Sequence, residues 1–227
     1  MPIHVDVVRV FTDERGHHGN PLGIVDATTV AAEDRQSVAA KLKYSETIFV
    51  ELPTPGSEYA RAQVFTHATE LRFFAGHPTV GLSWWLHERG TPVRTLEVPA
   101  GSVATRRSGA LTWVRAKPDW APEFSLYPMN SVREVEAADP KKFGPGRHYL
   151  WAWTDRVEHS IRSRMFAPEV GTMEDEATGA AAVHITEHLR HALLIEQGRG
   201  SILHTTYDPA GWVEVGGLVR AEKSRVL

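Results

Sequence analysis

Two well-separated segments of this chain carry the same device, and it limits the fold more than any other feature. Phe74-Ala75-Gly76-His77-Pro78-Thr79-Val80-Gly81 and Glu174-Asp175-Glu176-Ala177-Thr178-Gly179-Ala180-Ala181-Ala182 each place a glycine and small residues where a mostly apolar helical pattern begins. Pro78 suits a first helical turn and Gly90 the residue past the end, which predicts a helix from Pro78 to Arg89. Val80, Leu82, Trp84, Trp85 and Leu86 cover more than one face of it, the mark of a buried helix. The second segment predicts a helix from Thr178 to Leu193. A helix start lined by small residues exposes free backbone N–H groups and the positive end of the dipole, so each is a candidate anion site.

The surroundings repeat as well. In the first half, His4 to Val10 alternates as a strand, Gly19 to Val25 is a turn and short strand, and Val30 to Lys43 has helical spacing. Thr47 to Leu52 and Tyr59 to Phe65 read as paired strands about the Pro53–Ser57 turn, with further strands at Leu96 to Thr105 and Leu111 to Arg115. The second half runs in the same order. Ser131 to Ala138 is helical, Tyr149 to Trp153 and Ile161 to Phe166 form a hairpin, and strands follow the helix at Leu194 to His204 and Trp212 to Val215. Leu96-Glu97-Val98-Pro99-Ala100-Gly101-Ser102 aligns with Ile195-Glu196-Gln197-Gly198-Arg199-Gly200-Ser201 without a gap. The expected fold is α+β. Two similar domains, 1–116 and 117–227, each wrap a curved, mostly antiparallel sheet around a central helix, and a proline-bearing linker runs from Lys117 to Pro128.

With 227 residues, 42% of them apolar, the chain can bury a real core. A net charge of −3 without a basic run argues against nucleic acid as a partner. No stretch approaches the roughly 18 apolar residues of a membrane span, and the first residues do not read as a signal peptide, so a cytoplasmic protein is expected. The absence of cysteine excludes disulfides, thiolate metal sites and thiol catalysis.

Three residues stand out as chemical candidates. Glu46, where a helix gives way to a strand beside Ile48 and Phe49, is either a solvated surface carboxylate or a desolvated one with a raised pKa suited to proton transfer. His77 either caps its own helix or orients a substrate and moves a proton. Asp175 is either a helix cap or a site carboxylate. His184, His188 and His191 share a helix face, but Ile185 stands where a zinc-protease pattern needs glutamate, so a polar stripe is the simpler reading. No glycine-rich stretch matches a nucleotide loop. Neither metal nor organic cofactor is expected.

Gly19-Asn20-Pro21-Leu22-Gly23, Ser45-Glu46-Thr47, Gly76-His77-Pro78-Thr79, Glu174 to Gly179 and Gln197-Gly198 together resemble the PhzF phenazine-biosynthesis-like family, in its order and over nearly the whole chain. The resemblance implies the diaminopimelate-epimerase fold with an active site between two similar domains. It implies that Glu46 moves the proton, with His77 and Asp175 beside it. Asn20, Ser45, Gly76, Thr178, Gly179 and Ala180 are then substrate-binding residues. The epimerase relatives use two cysteines, which this chain lacks, so a carboxylate must carry the proton. The chain also departs from the family pattern. Ala180 replaces a serine, Glu176 a proline, and Arg199-Gly200-Ser201 an Arg-Pro-Ser run. One residue is added between Glu70 and Gly76, and the second half is shorter.

The expected function is a cofactor-independent isomerase that shifts a proton on a small carboxylic acid, in a homodimer without nucleic acid or membrane partners. The alternative is a non-catalytic small-molecule binding protein on the same fold; a metal hydrolase built on His184 and His188 is the weakest reading. Gly76-His77 and Thr178-Gly179-Ala180 are expected to face each other across a cleft, with Gly179 left small so that an anion can approach.

Overall fold

The structure, a computed structural model, describes residues 2–168 and 171–227. The first half contains β1 (His4–Thr12), β2 (Asn20–Asp26), α1 (Arg35–Leu42), β3 (Glu46–Glu51), β4 (Tyr59–Phe65), α2 (Gly76–Glu88), β5 (Thr95–Val98), β6 (Gly101–Ser108) and β7 (Leu111–Ala116). The second contains β8 (Ser125–Pro128), α3 (Val132–Ala137), β9 (His148–Asp155), β10 (Ser160–Ala167), β11 (Thr172–Asp175), α4 (Gly179–Leu189), β12 (Leu194–Gln197), β13 (Ser201–Asp208) and β14 (Trp212–Val226).

The repeat read from the sequence is a repeat of strand pairing. β2 runs parallel to β3 and β4 to β5, while β3–β4, β5–β6 and β6–β7 are antiparallel. In the second half β8 runs parallel to β9 and β10 to β12, while β9–β10, β12–β13 and β13–β14 are antiparallel. The aligned segments are the β5–β6 and β12–β13 hairpins, and Leu96 faces Val103 as Ile195 faces Leu203. Each parallel pair needs a crossover, and α2 and α4 supply those between β4 and β5 and between β10 and β12.

Both central helices are buried because almost every residue on them is apolar or small. Val80, Leu82 and Leu86 on α2 and Ala181, Ala182, Val183 and Ile185 on α4 are fully buried, in one continuous core drawn from both halves. β3 is buried on both faces. Ile48 and Val50 point to that core, while Phe49 joins a second cluster with Val38, Ala39 and Leu42 under α1.

Several expected boundaries move. The helix expected from Val30 becomes short 3-10 turns followed by α1, closed by Lys43 in the left-handed conformation (φ 59°). α4 stops at Leu189 because Arg190 takes a left-handed cap (φ 57°), so Leu193 lies beyond it. The expected linker holds a 3-10 turn at Pro118–Trp120 and strand β8. The strand expected to end at Val215 runs on to Val226. Its first part pairs with β13 and β7, and from Leu218 it pairs with β1, so the end of the second half closes the ring of the first. Among the described residues no helix is long and apolar enough to cross a membrane.

Candidate active site

The starts of α2 and α4 touch. A Cβ built on Gly76 would lie 2.6 Å from the Gly179 Cα, and one built on Gly179 would lie 2.8 Å from the Gly76 Cα. Two glycines are needed here because the backbones themselves are the contact. The expectation that the helix starts face each other holds, but they abut rather than flank a gap. The small size of Gly179 serves packing before it serves any ligand. Neither start has a side-chain cap, so the first-turn N–H groups of both helices converge at one place.

A cavity of about 450 Å³ opens there. Its inner end is formed by Gly76, His77, Ala177, Thr178, Gly179 and Ala180, all buried. Phe73, Pro122, Phe124 and Arg147 are half-buried and form its outer wall, while Leu71, Phe74, Met165 and Ala167 make the rest largely apolar.

Glu46 enters this cavity because α1 ends at Lys43 and the buried run Thr47–Val50 fixes β3, leaving Glu46 as the strand's first residue, level with Leu22 of β2. Its side chain is 21% exposed, and Oε2 lies 3.4 Å from the His77 Nε2. Both of these atoms are buried without a hydrogen-bond partner. Burial pushes the Glu46 carboxyl up to about 8, helped by the Asp175 carboxylate and opposed by a hydrogen bond from Ser45. Burial holds His77 down to about 3, against a hydrogen bond to the Pro21 backbone. At neutral pH the pair is a protonated acid facing a neutral imidazole.

Asp175 is held differently. Its Oδ1 accepts from the Asn20 amide at 2.7 Å, and the Thr178 hydroxyl donates to Oδ2. Asn20 also donates to the Ala177 carbonyl at 2.8 Å, so its amide is spent on positioning the loop before α4. Burial raises the Asp175 pKa, and the hydrogen bonds from Thr178 and Asn20 work against that rise. Gln197, noted in the sequence only as half of a Gln-Gly pair, is fully buried and clamps the same loop. Its Nε2 donates to the Asp175 carbonyl at 3.0 Å and the Thr178 hydroxyl at 2.8 Å, and its Oε1 accepts from the Thr178 N–H at 3.2 Å.

Glu46, His77, Asp175, Ser45, Gly76, Thr178, Gly179 and Ala180 therefore all line one cavity, and Asn20 stands behind it. Arg147 and the Phe73–Phe124 wall were not among the candidates. No local pattern marks them, and tertiary packing alone brings them to the site. His184 and His191 do not converge: His184 on α4 packs on Phe124 with ring centres 5.6 Å apart, and His191, beyond the helix end, stacks on His159 at 4.2 Å. Among the described residues no group of three or more metal-ligating side chains is assembled.

The family model described as phenazine biosynthesis-like protein matches residues 8–119 and 150–208. A Pseudomonas aeruginosa protein named trans-2,3-dihydro-3-hydroxyanthranilate isomerase is 27% identical, over 88% of this chain and 90% of its own. An uncharacterised isomerase of Mesorhizobium japonicum is 34% identical, over 60% of this chain and 43% of its own. The crystal structure of a PhzF-family protein from Enterococcus faecalis superposes with a TM-score of 0.81 at 17% identity, over 100% of this chain and 99% of that one. A hydroxyproline epimerase from Agrobacterium vitis gives 0.63 at 13% identity, over 100% and 92%. The fold is thus the two-half fold that PhzF-like proteins share with epimerases, and the class is that of PhzF-like isomerases. The chain belongs to the phenazine biosynthesis-like, PhzC-PhzF, protein family.

Proposed function

We propose that this protein shifts a proton between two carbon atoms of a small carboxylic acid, with Glu46 as the acid and base. The observation that carries this is the Glu46–His77 pair: two buried atoms without partners, 3.4 Å apart, in the wall of an otherwise apolar cavity. A protonated Glu46 delivers its proton to one carbon of a conjugated substrate. The resulting carboxylate then takes a proton from another carbon, so one C–H bond forms, one breaks and a double bond moves, with no net redox change. His77, kept neutral by burial, faces the Glu46 carboxyl and orients it without taking a proton itself. Burial, with the negative charge of Asp175 added to it, keeps Glu46 protonated. The N–H groups of the two helix starts hold the substrate carboxylate, with Gly179 and Ala180 supplying backbone N–H groups while the Thr178 N–H stays bonded to Gln197. The named activity of the Pseudomonas aeruginosa relative, an isomerase of a cyclic carboxylic acid, fits this cavity. A binding protein without chemistry gains no support from a carboxyl tuned into the neutral range. The division into units 1–116 and 117–227, the homodimer and the cytoplasmic location stand as proposals, the dimer to be checked by sedimentation.

The test is solvent deuterium incorporation into a panel of conjugated cyclic carboxylic acids. Glu46→Gln keeps the shape and removes the ionisable group, and its exchange rate should fall by about a hundredfold or more. Exchange at the wild-type rate in this variant would sink the assignment.

A further inference from the structure

The cavity contains a cation that the proton shift does not use. Arg147 ends the loop before β9, and its carbonyl accepts from the Ser125 N–H at 2.8 Å, which sets it next to Phe124. Its guanidinium reaches over Phe73, a residue of the first half, 5.6 Å from the ring centre. Arg147 therefore spans the two halves at the outer wall of the cavity. Among the described residues no carboxylate lies within ion-pair distance of it. Among the described lining residues it is also the one permanent cation.

The other end of the cavity already has an anion-binding device in the two helix starts. Of the acids lining the cavity, Glu46 is pushed up to about 8 and is uncharged at neutral pH. The cavity thus offers two separate positive poles with an apolar, partly aromatic middle. A monocarboxylate would satisfy only one of them.

We propose that the substrate carries two acidic groups, and that Arg147 holds the second one at the outer wall while the helix starts hold the first. The ligand class is a planar or cyclic dicarboxylate, its ring lying among Phe73, Phe124 and Met165. Arginine suits the role because its planar fork takes a carboxylate through two parallel hydrogen bonds, and the Phe73 ring keeps that fork from folding back into solvent. This rests on the reading of the cavity as a substrate site, and the experiment separates the two.

The probes are isophthalate, its monomethyl ester and benzoate, with binding to the purified protein measured by calorimetry. Isophthalate and its monoester have nearly the same shape and differ by one charge. Isophthalate should bind the wild type at least about tenfold more tightly than the monoester. In Arg147→Gln that ratio should fall to near one, while the affinity for benzoate stays within about twofold; Arg147→Lys should restore part of the preference. A wild type without the preference, or an Arg147→Gln variant that keeps it, overturns the proposal and leaves the cavity reading intact. If none of the three probes binds, the cavity reading and the Arg147 proposal fall together. Near-ultraviolet circular dichroism of Arg147→Gln that departs from the wild type would call for the same comparison with Arg147→Met, and loss of the preference in that variant carries the same weight.

Discussion

At the scale of single residues, one departure from the family pattern builds a contact of its own. Glu176 stands where the family has proline, and its carboxylate accepts from the Arg199 backbone N–H at 3.1 Å, the Arg199 Nε at 2.9 Å and the Ser201 hydroxyl at 2.9 Å. Ser201 in turn accepts from the Gly19 N–H at 2.9 Å, so one carboxylate ties the loop before α4 to the β12–β13 turn and the start of β2. Gly200 stands where the family has its second proline, at φ 133°, an angle a proline ring cannot reach. A Cβ at Gly200 would meet the His18 ring at 2.9 Å rather than Glu176. Glu176→Ala should cost about 1–3 kcal/mol in urea unfolding, because it leaves the buried Ser201 hydroxyl without its acceptor. Arg199→Ala should cost under about 1 kcal/mol, since that side chain is 76% exposed. The Glu46–His77 pair also sets a pH dependence. Glu46 rises from 4.5 to about 8, so its contribution to stability is complete below 4.5 and is lost as pH climbs toward 8. His77 falls from 6.5 to about 3, so its contribution is complete above 6.5 and is lost as pH drops toward 3. Between 4.5 and 6.5 the two trends offset each other. Stability should therefore be flat across that window and decline above it, by at most about 1.4 kcal/mol per pH unit from Glu46. Glu46→Gln should remove the decline between 6.5 and 8, as read by denaturation at fixed pH values. An unchanged decline in that variant would mean that Glu46 is not the group involved.

At the scale of elements, the contact between α2 and α4 is the structural centre of the site. Sequence reasoning assigned the small residues at both helix starts to an approaching anion, which predicts that Gly179→Val blocks ligand while the protein keeps its fold. The backbone approach changes that expectation. A Cβ at 179 meets the Gly76 Cα at 2.8 Å, and nothing on that side is a flexible side-chain end. Gly179→Val should cost about 1–3 kcal/mol or more in addition to weakening ligand binding, because two buried helices must part to admit it. Gly76→Ala should behave similarly, since its added Cβ meets the Gly179 Cα at 2.6 Å. Chemical denaturation of both variants, with Gly144→Ala at an open position as the control, checks this; a midpoint equal to the wild type at 179 would rule out the packing account. The closeness of the helix starts also explains the candidate site, since it brings two weak dipole ends together in the cavity that Glu46 also lines.

At the scale of the whole molecule, β14 decides how the halves are joined. It pairs with β7, with β13 and, from Leu218 to Val226, with β1, where Arg9 also donates to Glu222 across the strands at 2.5 Å. A chain ended after Gly217 loses the whole β1–β14 ladder and leaves β1 with an open edge beside its pairing to β2. Such a chain should unfold at lower urea concentration, and the amides of β1 should lose their protection against hydrogen exchange. Protection of β1 at the full-length level would show that the ring does not depend on this closure.

Much of the architecture was legible before any coordinates, because local chemistry fixed it. Two apolar helices begun by Gly and small residues, alternating strands and the Leu96–Ser102 and Ile195–Ser201 echo were enough to specify a duplicated α+β unit. Glu46, His77 and Asp175 stood out through motif and setting. What the sequence did not contain was every feature that depends on a distant partner. Beyond Val215 the strand reads as Gly216-Gly217 followed by the charged residues Arg220, Glu222, Lys223 and Arg225, and only pairing with β1 makes it a strand. Gln197 and Arg147 carry no local signal, since one is a buried clamp and the other a cavity wall only once the two halves meet. The pKa values of Glu46 and His77 belong to the same class. Residue type sets where each starts, but desolvation by a surrounding core moves both, and that core is made jointly by segments far apart in the chain.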